Sequence, residues 1–169
     1  MCLIQISNGN GEAHLVNFDR GKYDAPNLKK LLSNNDIAKI FHFARFDVAA
    51  IKRFLGVELT NIYCTKIASK IARTYTDCHG LKDLCRELLG VTISKQQQSS
   101  YWGTASLSQD QLTYAASDVL YLHKLRERLN EMLEREGREM LAKKCFDFLP
   151  HRAEMDLSGW GEVDIFSYK

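Results

Sequence analysis

At 169 residues, 45% of them hydrophobic, the chain has enough apolar mass for one sizeable core and too little for two comfortable domains. Its 23 basic and 21 acidic residues balance to a formal +2, a field too weak to announce a duplex-sized nucleic-acid partner, though open to a small or single-stranded anionic one. No apolar run reaches membrane-spanning length and no basic-then-apolar leader opens the chain, so the expectation is a soluble, cytoplasmic protein without a membrane partner, its five scattered cysteines reduced.

"MCLIQIS" stops at "NGNG" and "EAHLVNF" resumes a strand-like pattern, which predicts a β-hairpin. After Pro26, "NLKKLLSNN" has the leucine spacing of a short helix, and "AKIFHF" is a compact apolar strand. "RFDVAAIKRFLG" predicts a helix ended by Gly56, with Val48, Ile51 and Leu55 on one face. A short strand is expected around "LTNIYC", followed by helices in "TKIASKIAR" and "LKDLCRELLG". Cys78, His79 and Cys85 have no second close pair that would complete a tetrahedral zinc site.

"VTISKQQQSSYWGTAS" carries no period and is expected to be an ordered loop or an extended crossing segment. "SQDQ" then has the capping-box spacing, Ser108 to Gln111, at the start of one long helix. Leu112, Ala116, Val119, Leu120, His123 and Leu125 form its expected buried stripe, and "RERLNEMLEREGRE" its solvated charged half. The last segment, "CFDFLPHRAEMDLSGWGEVDIFSYK", is rich in aromatics without a clear period, and is expected to dock on its own domain or on a neighbouring subunit. Strands first, helices after, with a strand-helix alternation between, predict an α/β domain with a mixed sheet.

In "YAASD", Tyr114 and Asp118 are one helical turn apart and project from one strip of surface. Alone, such a pair is most simply a satisfied phenol and an exposed acid. In "HFARFD", Asp47 sits where a strand gives way to a helix and His42 ends the strand, the junction at which α/β folds place ligand sites. An Asp there also serves as an ordinary first-turn charge.

Taken in order, "HFARFD", "GLKDLCRELLG", the polar "KQQQSSYW" loop and "LSQDQLTYAASDVLYL" resemble the 3′-to-5′ exonucleases of the ribonuclease D type. "CTKIAS", "RTYTD", "SKQQQSS" and "DLSGWGEVDIF" are most similar to the short nano-RNase C group of that family. The resemblance implies a ribonuclease-H-like α/β fold, a mixed β-sheet flanked by helices. It implies an exonuclease domain over 1–137 and a C-terminal tail over 138–169 that packs on the domain or on a neighbour. The implied activity is hydrolysis of short single-stranded RNA from its 3′ end to nucleoside 5′-monophosphates, in a homo-oligomer.

The resemblance makes Asp47 the acid of the family's second motif, and Tyr114 and Asp118 the Tyr-x-x-x-Asp of the third. Asp118 and Asp47 would hold two divalent ions, Mg2+ or Mn2+, and Tyr114 would orient the attacking water. Neutral-hydroxyl orientation is the sounder role, since an unperturbed phenol titrates near ~10. His42 would contact the terminal nucleotide, and Lys95 is a plausible phosphate partner as well as an ordinary surface lysine. Tyr101 and Trp102 either stack on a base or pack beside the helix.

The family's first motif, an Asp-x-Glu on a central strand ahead of "CLIQIS", has no counterpart within these residues; neither Glu12 nor Asp19 lies in its context. The expectation is a start at an internal methionine of a longer protein, the sheet lacking its first central strand. The alternatives are a catalytically inactive nucleic-acid-binding or oligomerising relative, and a metal cage completed by other acids or by a neighbouring subunit.

Overall fold

Asn8 to Gly11 turn the chain back on itself as the asparagine-glycine pattern predicts. β1 (Leu3–Ile6) pairs antiparallel with β2 (His14–Asn17), Leu3 opposite Asn17 and Ile6 opposite His14. Gly9 has φ +87°, and a Cβ there would stand 2.9 Å from Cγ of His123, so the turn needs glycine both for its backbone and for its neighbour. The computed structural model describes residues 1–19, 21–94, 96–104 and 106–168. Lys95, the expected phosphate partner, lies outside the described residues.

α1 (Pro26–Ser33) starts on a proline, whose missing N–H costs nothing in a first turn. β3 (Lys39–Phe41) leads into α2 (Arg45–Leu55), and β4 (Ile62–Cys64) returns parallel to β3 with Ile40 opposite Tyr63. Val48, Ile51 and Leu55 are buried, and Gly56, at φ +66°, stops α2. α3 (Thr65–Ala72) and α4 (Leu81–Leu89) follow, and then α5 (Gln109–Leu120), α6 (Leu122–Arg135) and α7 (Glu139–Leu157); the described residues between 91 and 107 form neither helix nor strand.

The α/β class stands, with a refinement of the sheet. Among the described residues the antiparallel and parallel pairs are two separate two-stranded sheets, not one mixed sheet. β1 and β3 share no ladder; Leu3 to Gln5 and Ile40 to Phe43 instead line a common cleft.

The long helix breaks at Tyr121 (φ −100°, ψ −6°). α5 touches β1 and β2, whereas α6 packs on α3 and α4, and one straight rod would not serve both. The buried set shifts accordingly to Ala115, Leu122, Leu125, Leu129 and Leu133; Leu112, Ala116, Val119, Leu120 and His123 are only half-buried. Ser108 caps α5 as its spacing predicts, with a reciprocal capping box to Gln111. Gln111 also donates to Ser100 Oγ (3.2 Å) and to the Tyr101 carbonyl (3.1 Å), which ties the preceding loop to the helix.

The C-terminal segment is helical where no period was expected. Ala142, Phe146, Leu149 and Ala153 form a buried stripe at helical spacing on α7, which packs against α2. Pro150 lies inside that helix and lacks the N–H that an uninterrupted ladder requires, which obscures the pattern in the sequence.

A buried cation organises the turn between α3 and α4. Arg73 donates to Ser69 Oγ and the Cys78 carbonyl and pairs with Glu87, while Ser69 Oγ also meets His79 Nδ1 at 2.8 Å. Its side chain is 1% exposed. The network fixes the approach to Gly80, Leu81 and Lys82, which form one wall of the cleft.

Candidate active site

The site begins at the end of β3. Phe41 closes the strand, His42 follows, and Phe43 takes a left-handed backbone (φ +68°) before Ala44 and Arg45 open α2. Thr65, buried at the start of α3, donates its hydroxyl proton to the Phe41 carbonyl (3.2 Å). With that proton committed, the 2.9 Å contact between His42 Nδ1 and Thr65 Oγ1 runs from the ring N–H to the hydroxyl oxygen. Nε2 of His42 is therefore left as an acceptor. Burial, with help from the Lys66 charge, lowers the His42 pKa to about 4, so the ring is neutral at pH 7.

Asp47 lies in the first turn of α2, where a carboxylate is favoured by the helix N-terminus. Its side chain reaches solvent through the cleft, yet the surrounding walls strip much of its hydration. Burial pushes its pKa up to about 6; a hydrogen bond to its own backbone opposes that shift and the charge of Asp118 adds to it. Asp118, half-buried on α5, is likewise raised to about 6 by burial. Tyr114, one turn earlier, is raised by burial and then by Asp118, which keeps its hydroxyl protonated. The Trp102 ring lies 5.8 Å from that of Tyr114, tilted by 43°; Trp102 therefore packs beside the helix and braces the phenol. Behind them the Cys85 thiol, buried and near Asp118, is raised to about 11 and stays un-ionised.

His42, Asp47, Tyr114 and Asp118 line one cleft of about 790 Å³. Residues up to 76 positions apart are thus gathered by the β3–α2 junction on one side and α5 on the other. The sequence reading missed Thr65, which selects the His42 tautomer, and the clamp on α2. Arg45 donates through two nitrogens to Asp156 of α7, each at 2.6 Å, and to the Gly161 carbonyl at 2.6 Å. Arg152 joins the same pair, so the end of α7 is latched two residues from Asp47. An Arg and an Asp 111 positions apart leave no mark of their pairing in the sequence.

The 3′-5′ exonuclease family matches residues 1–134. This chain belongs to that family. The chain is similar to ribonuclease D of Gluconacetobacter diazotrophicus, at 33% identity over 138 residues, 82% of this chain and 35% of the relative. It spans about a third of the length of the curated ribonuclease D relatives it matches. Among solved structures, Brucella melitensis NrnC with bound Mg2+ is 54% identical, with 99% of this chain and 82% of that one covered at a TM-score of 0.95. NrnC of the same organism bound to pGG is 55% identical, with 99% and 81% covered at a TM-score of 0.96. No helix among the described residues is long and apolar enough to cross a membrane.

The raised carboxyls make the stability of the metal-free protein sensitive to pH. A carboxyl whose folded pKa lies above its unfolded value, here about 6 against 3.8, binds its proton more tightly when folded. The stabilising contribution is therefore full below pH 3.8 and is lost as pH rises through 6. Urea unfolding in chelator should show the doubly substituted Asp47→Asn, Asp118→Asn protein more stable than wild type at pH 7. That advantage should shrink toward pH 4; a pH-independent difference would refute the assignment.

Proposed function

We propose that the chain is a metal-dependent 3′-to-5′ exoribonuclease domain, acting on short single-stranded RNA and releasing nucleoside 5′-monophosphates. The observation that carries the reading is the meeting of Asp47, Asp118, Tyr114 and His42 in one cleft, with two mutually repelling carboxylates. The cleft's volume falls in the range of about 300–1,000 Å³ that encloses a small ligand, which supports a very short substrate. The pGG bound to the NrnC relative supports the same class.

The donor set fits a hard divalent cation. Two carboxylates suit magnesium or manganese, which complete their coordination with water and phosphate oxygens. Asp118 and Asp47 are the residues that would hold the ions, and the NrnC structure with Mg2+ supports that choice. Metal bound there would supply an ionised water nucleophile and offset the charge that grows on the phosphoryl oxygens. Tyr114 keeps its proton and orients the attacking water through a neutral hydroxyl. His42 offers Nε2 as an acceptor, and so selects a hydroxyl or amino donor on the terminal nucleotide. Lys95 is retained as a phosphate contact on the strength of its motif alone.

We assign the catalytic role to 1–137. The segment 138–169 latches onto α2 and leaves Trp160, Val163, Ile165 and Phe166 at least half exposed, a surface suited to a second copy in a cytoplasmic homo-oligomer. One observation favours a second reading. Among the described residues no group of three or more His, Cys, Asp or Glu is placed to hold a metal, so a two-ion cage needs oxygens beyond Asp47 and Asp118. On that reading these 169 residues bind RNA without cleaving it.

A 5′-labelled RNA dinucleotide separates the two. Turnover in Mg2+ or Mn2+ that falls about 10²-fold in Tyr114→Phe, within the range of a lost acid-base or positioning group, supports the first. Chelator-insensitive binding with no hydrolysis supports the second. Undiminished turnover in Tyr114→Phe would remove the phenol from the mechanism.

A further inference from the structure

We infer that Arg45 and Asp156 are positioning residues for Asp47, the α7 latch setting the first turn of α2 and with it a carboxylate that would hold metal; this deepens the exonuclease reading and rests on it. That turn has no side-chain cap: Ala44, at its N-cap, offers no acceptor to the free N–H groups, and Phe43 before it has a left-handed backbone. Arg45 supplies the missing tie. Residues two apart lie about 200° around an α-helix. Arg45 therefore reaches α7 from the side of α2 turned away from the cleft that Asp47 lines. Holding that side fixes the rotation of the turn, and rotation decides where the Asp47 carboxylate points.

The latch differs from an ordinary surface ion pair. Arg45 Nε and Nη2 each donate to a different oxygen of Asp156, and Nη2 also donates to the Gly161 carbonyl. Asp156 is only 17% exposed. The acceptors are themselves braced: Arg152 donates to the carbonyls of Trp160 (3.2 Å) and Gly161 (2.9 Å) and lies 3.3 Å from Asp156. A forked pair inside a network holds one geometry, where a lone exposed pair slides. A second ion pair, Lys52 with Glu154, joins the same two helices, but from the last turn of α2. Only the Arg45 latch acts on the turn that carries Asp47, so the two pairs separate positioning from general packing of α2 on α7.

The test reads metal uptake without substrate. Binding of Mn2+ alone to the full chain is followed by loss of the free ion's paramagnetic resonance signal, and the Mg2+ demand of RNA-dinucleotide turnover is measured beside it. Asp156→Ala, and Arg45→Lys, which keeps the charge but loses the fork, should each weaken Mn2+ binding about tenfold to a hundredfold, the range over which a metal ligand suffers from losing its support. The Mg2+ concentration for half-maximal turnover should rise in step while the KM for RNA holds. Asp156→Glu should recover part of the affinity, and Glu154→Ala should keep the wild-type value. Should Asp156→Ala fail to fold, Arg45→Lys carries the comparison. Wild-type Mn2+ affinity in the latch variants, or an equal loss in Glu154→Ala, overturns the positioning role; Mn2+ binding that is still lost in Asp118→Asn then leaves the exonuclease reading standing. A wild-type chain that neither takes up Mn2+ nor turns over RNA overturns both.

Discussion

Asp118→Asn should abolish hydrolysis by at least 10²–10³-fold, the scale on which a single preorganised electrostatic group acts, without lowering the melting temperature at pH 7. The substitution keeps the shape of the side chain and removes the hard anionic oxygen that a magnesium or manganese ion requires. Stability should not suffer, because the carboxylate is held in the cleft against its own desolvation. Its charge also raises Asp47, so its removal lets the Asp47 carboxyl ionise at lower pH. Activity and thermal stability therefore move independently. An Asp118→Asn protein that keeps its turnover would place the chemistry elsewhere, and one that unfolds would make Asp118 a structural residue.

Glu87→Ala is expected to be the most destabilising change outside the hydrophobic core. It leaves the Arg73 guanidinium, 1% exposed, without its ionic partner. Removing one member of a buried pair costs about 3–5 kcal/mol, because the surviving charge stays desolvated. Glu87 is itself 33% exposed and water reaches its end of the pair, which places the effect near 3 kcal/mol at the low end of that range. For a chain of this size that is a fall of roughly 6–12 °C in Tm. Arg73→Met in the same background removes the orphaned charge and should recover part of the loss. The consequence reaches function through Gly80 to Lys82, the cleft wall that the Arg73 network positions. A Glu87→Ala protein with wild-type stability would show that Ser69, the Cys78 carbonyl and the Tyr75 hydroxyl suffice to hold the cation.

Local chemistry was legible in the sequence wherever one short stretch carries its own determinants. The asparagine-glycine turn, the Ser108–Gln111 capping box, the stop at Gly56 and the one-turn spacing of Tyr114 and Asp118 are each decided within a few residues. What depends on distant packing was not. Nothing between Ser108 and Arg135 announces the break at Tyr121, which exists because α5 and α6 rest on different parts of the fold. Pro150 conceals the Ala142, Phe146, Leu149, Ala153 stripe. The separation of β1–β2 from β3–β4 is a property of strand pairing that alternation alone does not specify.

The site divides along the same line. Asp47, Tyr114, Asp118 and His42 were identifiable from their motifs. The acceptor state of His42 Nε2 follows from Thr65, 23 positions away, and the Arg45–Asp156 latch from a helix whose period is hidden. Phe43 and Phe46 stand inside a quoted motif, but only the structure shows that they line the cleft rather than the core.

On the proposed function, the cleft between the β3–α2 junction and α5 performs metal-dependent hydrolysis of short RNA from the 3′ end. The most direct measurement is mass spectrometry of the products when the purified chain meets an RNA dinucleotide in Mg2+, with and without excess chelator. Nucleoside 5′-monophosphates are expected in the presence of metal, and intact dinucleotide once the metal is sequestered. Intact dinucleotide under both conditions, or cleavage that survives chelation, would contradict the proposed function.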